Sequence, residues 1–193
     1  MSDNQNPCMQ TLTGRRVHFL DPKPSEISLA DIAGHLAKIN RFGGATREPY
    51  SVAQHSVEVA MIVPAPWRGY ALLHDAHEAY IGDRLTPIKR AMAALHPRGV
   101  DPFTILEDQF DRAIHQHFGL PWPLPPEAAA AVKQADLIML ATERRDLLNE
   151  HLDWQIDLPL ALPHKLRGEN WQYVEASFLA MAKRIGLDAA EGW

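Results

Sequence analysis

The sequence predicts an all-α fold. Nearly every stretch between the proline-rich links repeats its apolar residues at the helical period, strand-type alternation is weak, and capping residues and prolines recur where the period starts and stops. The pattern gives a bundle of about six to eight helices, with a short strand or hairpin near the N-terminus. At 193 residues, 46% hydrophobic and 22% charged, the chain can bury one core and reads as a single domain over 1–193, with 1–10 flexible.

Residues 11–24 lack a helical period and end in Asp21-Pro22-Lys23-Pro24, which fits a strand or hairpin around 15–20 followed by a turn. Ser28 with Asp31 three positions on reads as a helix cap, and Ile32, Leu36 and Ile39 give that helix an inner stripe as far as about Asn40. Arg41-Phe42-Gly43-Gly44 is a turn. Ser51 caps the next helix, whose stripe is Val52, Val59, Ile62 and Val63. Pro64 and Pro66 break the chain, and a central helix is expected over 67–81. Residues 82–87 form a loop, and Pro87 opens a short helix bearing Lys89 and Arg90. An amphipathic helix over 102–118 turns Phe103, Leu106, Phe110 and Ile114 inward and stops at Gly119. After a stiff link at 121–126, a helix over 127–149 puts Val132, Ala135, Asp136, Met139 and Leu140 on one face. Residues 151–168 are irregular, and a last helix over 171–185 buries Val174, Phe178, Met181 and Ile185.

The formal charge of −5 argues against a nucleic-acid backbone as partner. Cys8 is the single cysteine, which excludes an internal disulfide and fits a free thiol in a reducing compartment. Residues 1–10 are polar, without a secretory signal, and no apolar run reaches membrane-spanning length. The expected setting is cytoplasmic, with no membrane partner.

The chemistry centres on 71–80. On a helix His74, Asp75 and Glu78 share one face, interrupting the apolar run of Leu72, Leu73, Ala76 and Ala79. Burying an imidazole with two carboxylates is unfavourable unless a divalent cation compensates. Two other helices each place one polar group on an apolar face: His55 three residues after Val52, and Asp136 beside Ala135. Singly, His55 reads as a core histidine bonded to a carbonyl, and Asp136 as the partner of an arginine, although Arg144 and Arg145 lie too far along the same helix. Together, two imidazoles and two carboxylates without thiolate suit one Mn²⁺, Co²⁺, Fe²⁺ or Zn²⁺ ion with water in its open positions.

His55, then His74-Asp75, then Asp136 on successive helices resembles the H…HD…D signature of the HD-domain metal-dependent phosphohydrolase superfamily. The local segments 51–56, 74–78 (His-Asp-Ala-His-Glu) and 82–89 (Gly-Asp-Arg-Leu-Thr-Pro-Ile-Lys) resemble the compact bacterial HD-domain 5′-deoxynucleotidases and the phage dATP triphosphohydrolases. The resemblance spans about 32–148 and implies an HD-domain helical bundle. It implies that His55, His74, Asp75 and Asp136 hold one metal. Glu78 matches the acid that positions or deprotonates the attacking water, and Asp83 a second acid near the scissile phosphate. Arg41 and Phe42 match an Arg-Trp pair that holds phosphate and presses on the sugar. Phenylalanine in place of tryptophan keeps the aromatic wall and leaves exclusion of a 2′-hydroxyl open. Lys89 is a phosphate contact by charge and position, or a solvated helix lysine. His77, one position off the His74 face, either lines the pocket or supports a ligand. His35, His96, His115 and His117 read as core or surface residues.

The expected activity is metal-dependent hydrolysis of a (deoxy)nucleotide, either a dNMP or a dNTP. The triphosphate case wants extra cations, for which Arg15, Arg16, Arg47 and Arg84 are candidates. The competing readings are a catalytically silent nucleotide-binding protein and a di-iron oxygenase, the latter needing more histidines than the pattern supplies. Relatives in the resembling families imply a homo-oligomer.

Overall fold

The computed structural model describes residues 7–96, 101–149 and 152–188. Among the described residues it comprises eight α-helices and one two-stranded hairpin, the all-α architecture that the apolar period requires. Strand β1 (Cys8–Gln10) pairs antiparallel with β2 (Arg16–His18), with Met9 opposite Val17. Residues 8–10, expected to be flexible, are instead held in this ladder, because Val17 is fully buried and fixes the register. Residues 1–6 of that expectation lie outside the described residues. Cys8 is exposed and free.

Helix α1 (Leu29–Leu36) begins where the sequence indicates, but not through the expected cap. Ser28 makes no side-chain cap bond. Asp31 is fully buried and accepts from the Thr13 backbone N–H at 2.7 Å and the Thr13 hydroxyl at 2.8 Å, tying the hairpin to the helix. The helix also stops at Leu36 rather than near Asn40. Past it the backbone pairs with another segment: Val52 N–H donates to the Ile39 carbonyl, Arg41 N–H donates to the Tyr50 carbonyl, and Asn40 bridges Ser51. This pairing lifts Arg41 off the helix axis.

Helix α2 (Val52–Ile62) is capped by Ser51, whose Oγ accepts from Gln54 N–H. It packs against α3 (Arg68–Leu73), α7 (Pro126–Leu147) and α8 (Trp171–Arg184), while α1 packs on α4 (Glu78–Ile81) and α8. Helices α5 (Thr86–Leu95) and α6 (Phe103–His117) complete the set. The core gathers Ile32, Leu36, Leu72, Phe110, Met139 and Phe178, all fully buried. Among the described residues no helix is long and apolar enough to cross a membrane.

The central helix expected over 67–81 is divided. Between α3 and α4 the ladder tightens: the N–H groups of Ala76, Glu78 and Ala79 donate to the carbonyls of Leu73, Asp75 and Ala76, three residues back instead of four. The Ala71 carbonyl, where a continuous helix would receive the Asp75 N–H, accepts from His74 Nδ1 at 2.7 Å instead. Good helix formers alone give no sign of this break, because a side chain makes the competing bond.

Candidate metal centre

Helices α2 and α7 and the tightened turn before α4 bring four ligand-type side chains together. Ligand atoms of His55, His74 and Asp136 lie within 4.8 Å of one another. His55 Nε2 is 3.3 Å from His74 Nε2, 3.4 Å from Asp136 Oδ1 and 3.7 Å from Asp75 Oδ2, and Asp75 Oδ2 is 3.3 Å from His74 Nε2. Three of the expected ligands, His55, His74 and Asp136, therefore form one tight group, and Asp75 adjoins it on the side of the two histidines.

The partners of the outer ring nitrogens decide what faces into that group. His55 Nδ1 contacts the Glu143 carboxylate at 2.6 Å, and His74 Nδ1 contacts the Ala71 carbonyl. Both partners are acceptors, so both Nδ1 atoms carry the proton, and each neutral ring turns an Nε2 lone pair inward. Two lone pairs and two carboxylate oxygens crowded this closely need a cation among them. Burial and Arg41 push His55 down, but Glu143 and the bonds to Asp136 and Glu143 outweigh them, so His55 is raised to about 9. Burial holds His74 below its ordinary value. Asp75 and Asp136 are held below the usual carboxylate range despite burial, Asp75 by His74, His55 and Arg41, and Asp136 by its bond to His55. The donor set of two imidazoles and two ionised carboxylates fits one borderline-hard divalent ion.

Glu78 is buried at 5% exposure, and among the described residues its Oε2 has no hydrogen-bond partner. Burial, Asp75 and Asp83 raise Glu78 to about 10. Asp83, half-buried in the loop after Gly82, is also raised by burial and by Asp75. The two acids are thus coupled to the ligand cluster and to each other.

Arg41 lies across the same cluster. Its Nε and Nη2 donate to Glu143 Oε2 at 3.3 and 3.2 Å, and its Nη1 lies 3.4 Å from Asp75 Oδ2. Phe42 follows in the left-handed region at φ +55°, where a bulky side chain costs roughly 1–3 kcal/mol. Lys89 Nζ pairs with Glu107 at 3.0 Å, while its charge also reaches Glu78 and Asp83. His77 Nδ1 bonds Asp111 of α6 at 2.9 Å, so it braces the turn against that helix. Asp136 Oδ2 takes Lys133, at 3.2 Å, rather than either arginine of its helix.

No family model matches the chain. Curated relatives do. Over 149 residues, 77% of this chain and 77% of the relative, it is 38% identical to the uncharacterized protein YfdR of Escherichia coli strain K12. Over 145 residues, 70% of each chain, it is 38% identical to the uncharacterized protein RCAP_rcc00048 of Rhodobacter capsulatus. The chain belongs to the family of these two proteins.

Sequence reasoning missed Glu143. It is fully buried, and its carboxylate joins His55 on one oxygen to Arg41 on the other. Despite burial, Arg41 and His55 keep it below the ordinary carboxylate value. A signal existed: Glu143 lies seven residues, two helical turns, beyond Asp136 and so shares its face. Among the proposed extra cations, Arg84 pairs with Asp101 and Glu107, Arg15 donates to the Ile27 carbonyl at 2.7 Å, and Arg47 donates to the Leu148 carbonyl.

Proposed function

We propose that this chain is a metal-dependent phosphohydrolase acting on (deoxy)nucleotides. The observation that carries the reading is the grouping of His55, His74 and Asp136 ligand atoms within 4.8 Å of one another, with Asp75 Oδ2 3.3 Å from His74 Nε2, beside the buried Glu78 carboxyl whose Oε2 has no partner among the described residues. The order and spacing of these residues, and the Gly82-Asp83…Thr86-Pro87 segment, which resemble the HD-domain phosphohydrolases, support the same reading.

His55, His74, Asp75 and Asp136 would hold one divalent ion. Such an ion supplies positive charge that draws a phosphate oxygen, acidifies water and offsets charge building on the phosphoryl group. The chain's own groups do the rest. Glu78, whose buried Oε2 has no hydrogen-bond partner among the described residues, would take the proton of the attacking water once a bound cation offset the burial and the negative charge of Asp75 and Asp83 that raise it. Glu143 fixes the His55 tautomer. Arg41, with Nη1 turned to Asp75 and its other nitrogens anchored on Glu143, offers a forked cation to a phosphate beside the ligand cluster.

The test is phosphate release from a panel of dNMPs, NMPs and dNTPs with Mn²⁺ or Co²⁺, products resolved by chromatography. Nucleoside and orthophosphate from dNMPs are the expected products, and tripolyphosphate from a dNTP would move the activity to the triphosphate branch. Glu78→Ala should keep the metal and lose most turnover. Absence of turnover in metal-replete protein would leave nucleotide binding without catalysis.

A further inference from the structure

Two aromatic side chains, Phe42 next to Arg41 and Trp154 against Phe42, have no part in the core. Phe42 and Trp154 are half-buried, and neither belongs to the buried cluster or to the apolar residues packed on it. Their ring centroids are 6.3 Å apart with planes tilted by 36°. A guanidinium lies over one face of each ring, Arg41 at 5.4 Å from the Phe42 centroid and Arg144 at 4.9 Å from the Trp154 centroid, which leaves the opposite faces for a ligand. Arg41 also touches Asp75, so the aromatic pair starts one residue from the charged centre.

Both rings are held in place by more than packing. Phe42 sits on a left-handed backbone. Trp154 lies on an irregular strap that the C-terminal turns of α7 stitch down. Arg144 donates to the Leu152 carbonyl at 2.9 Å, Thr142 Oγ1 accepts from Leu162 N–H at 2.9 Å, and Asp146 accepts from Leu166 N–H at 2.7 Å. One helix thus carries Asp136 and Glu143 toward the metal centre and, through neighbouring residues, fixes the strap that delivers Trp154.

We propose that Phe42 and Trp154 form a continuous aromatic wall on which the base of a nucleotide stacks while its phosphate lies at Arg41 and the metal ligands. The proposal rests on the nucleotide reading above and adds Trp154 as a determinant of preference for nucleosides over other phosphate esters. Stacking is tolerant of base identity because every base has a π-face, so the wall selects a nucleoside without selecting one base. Trp154 is the better platform of the two, having the larger ring and no direct tie to the metal ligands.

The experiment has two arms, both on the full chain. In the first, deoxyadenosine, which has no phosphate, is titrated into metal-free protein and binding is read by calorimetry. Trp154→Leu should weaken it about tenfold, and Trp154→Phe should restore much of the loss. In the second, kcat/KM with Mn²⁺ is compared for dAMP and deoxyribose 5-phosphate, and Trp154→Leu should reduce the preference for dAMP about tenfold. Circular dichroism of both variants checks that they fold. Deoxyadenosine binding that depends on Trp154, without phosphate release, supports the wall and overturns the hydrolase reading. Phosphate release with equal preference for both esters in wild type and Trp154→Leu overturns the wall and leaves the hydrolase reading in place.

Discussion

His55 Nδ1 lies 2.6 Å from Glu143 Oε1, and both side chains are fully buried. This contact sets the chemistry of the site from behind. A carboxylate can only accept there, so the imidazole proton stays on Nδ1 and the Nε2 lone pair points at His74, Asp75 and Asp136. The other Glu143 oxygen accepts from two nitrogens of Arg41. One acid therefore orients both an expected metal ligand and the cation expected to hold phosphate.

Glu143→Gln keeps the size and removes this double acceptor. The amide oxygen can serve His55 or Arg41, but the amide N–H₂ then faces the other donor. Metal affinity should fall about 10- to 100-fold while the fold persists, as is usual when the partner of a ligating histidine is altered. Titration with Co²⁺, followed by visible absorption alongside a thermal melt, reads both. Unchanged Co²⁺ affinity would show that His55 does not depend on Glu143.

Metal should also stabilise the chain, because the four ligands are assembled only in the folded state. At a hundredfold excess over Kd the gain is about 2.7 kcal/mol, which for a chain of this size raises Tm by roughly 5–10 °C. Asp136→Asn removes one of the two converging anions and should abolish most of that rise. A melt with and without Mn²⁺ on wild type and variant decides it, and an equal rise in both would remove Asp136 from the ligand set.

The division between what was legible and what was not follows the range of the interactions. Helical period revealed α2, α6, α7 and α8, because each buries one stripe against a core. His55 and Asp136 were visible as polar interruptions of such stripes, and His74 and Asp75 as an interruption of an apolar run. The break between α3 and α4 was not visible, since it depends on one imidazole bonding its own backbone. Asp31 looked like a cap residue, and its actual partner, Thr13, is set by the packing of the hairpin. Trp154 lies in a segment with no period, whose place is fixed by side chains of α7.

That strap has a steric anchor at its far end. Gly168 N–H donates to Glu48 Oε1 at 2.8 Å, and a Cβ on Gly168 would lie 1.9 Å from the Pro49 carbonyl oxygen and 3.0 Å from its carbon. Backbone cannot swing aside as a side chain can. Gly168→Ala should cost about 1–3 kcal/mol, lowering Tm by roughly 2–12 °C, as overpacking does. A thermal melt unchanged within 1–2 °C, on the order of the smallest resolvable shift, would mean that the strap and the 48–49 segment separate readily.

Arg41 can be tested apart from the metal. Its three contacts use Nε, Nη1 and Nη2, a fork that Lys cannot reproduce although it keeps the charge. Arg41→Lys leaves all four ligand side chains in place and leaves Glu143 with its bond from His55. Co²⁺ affinity should therefore change less than threefold, about 0.7 kcal/mol, while KM for a nucleoside monophosphate rises about tenfold with the loss of a bidentate phosphate contact. Glu143→Gln should instead lower Co²⁺ affinity and raise KM together. Measuring the two variants side by side separates the roles: if Arg41→Lys loses metal as strongly as Glu143→Gln, Arg41 is part of the scaffold of the centre and phosphate must be held by another cation.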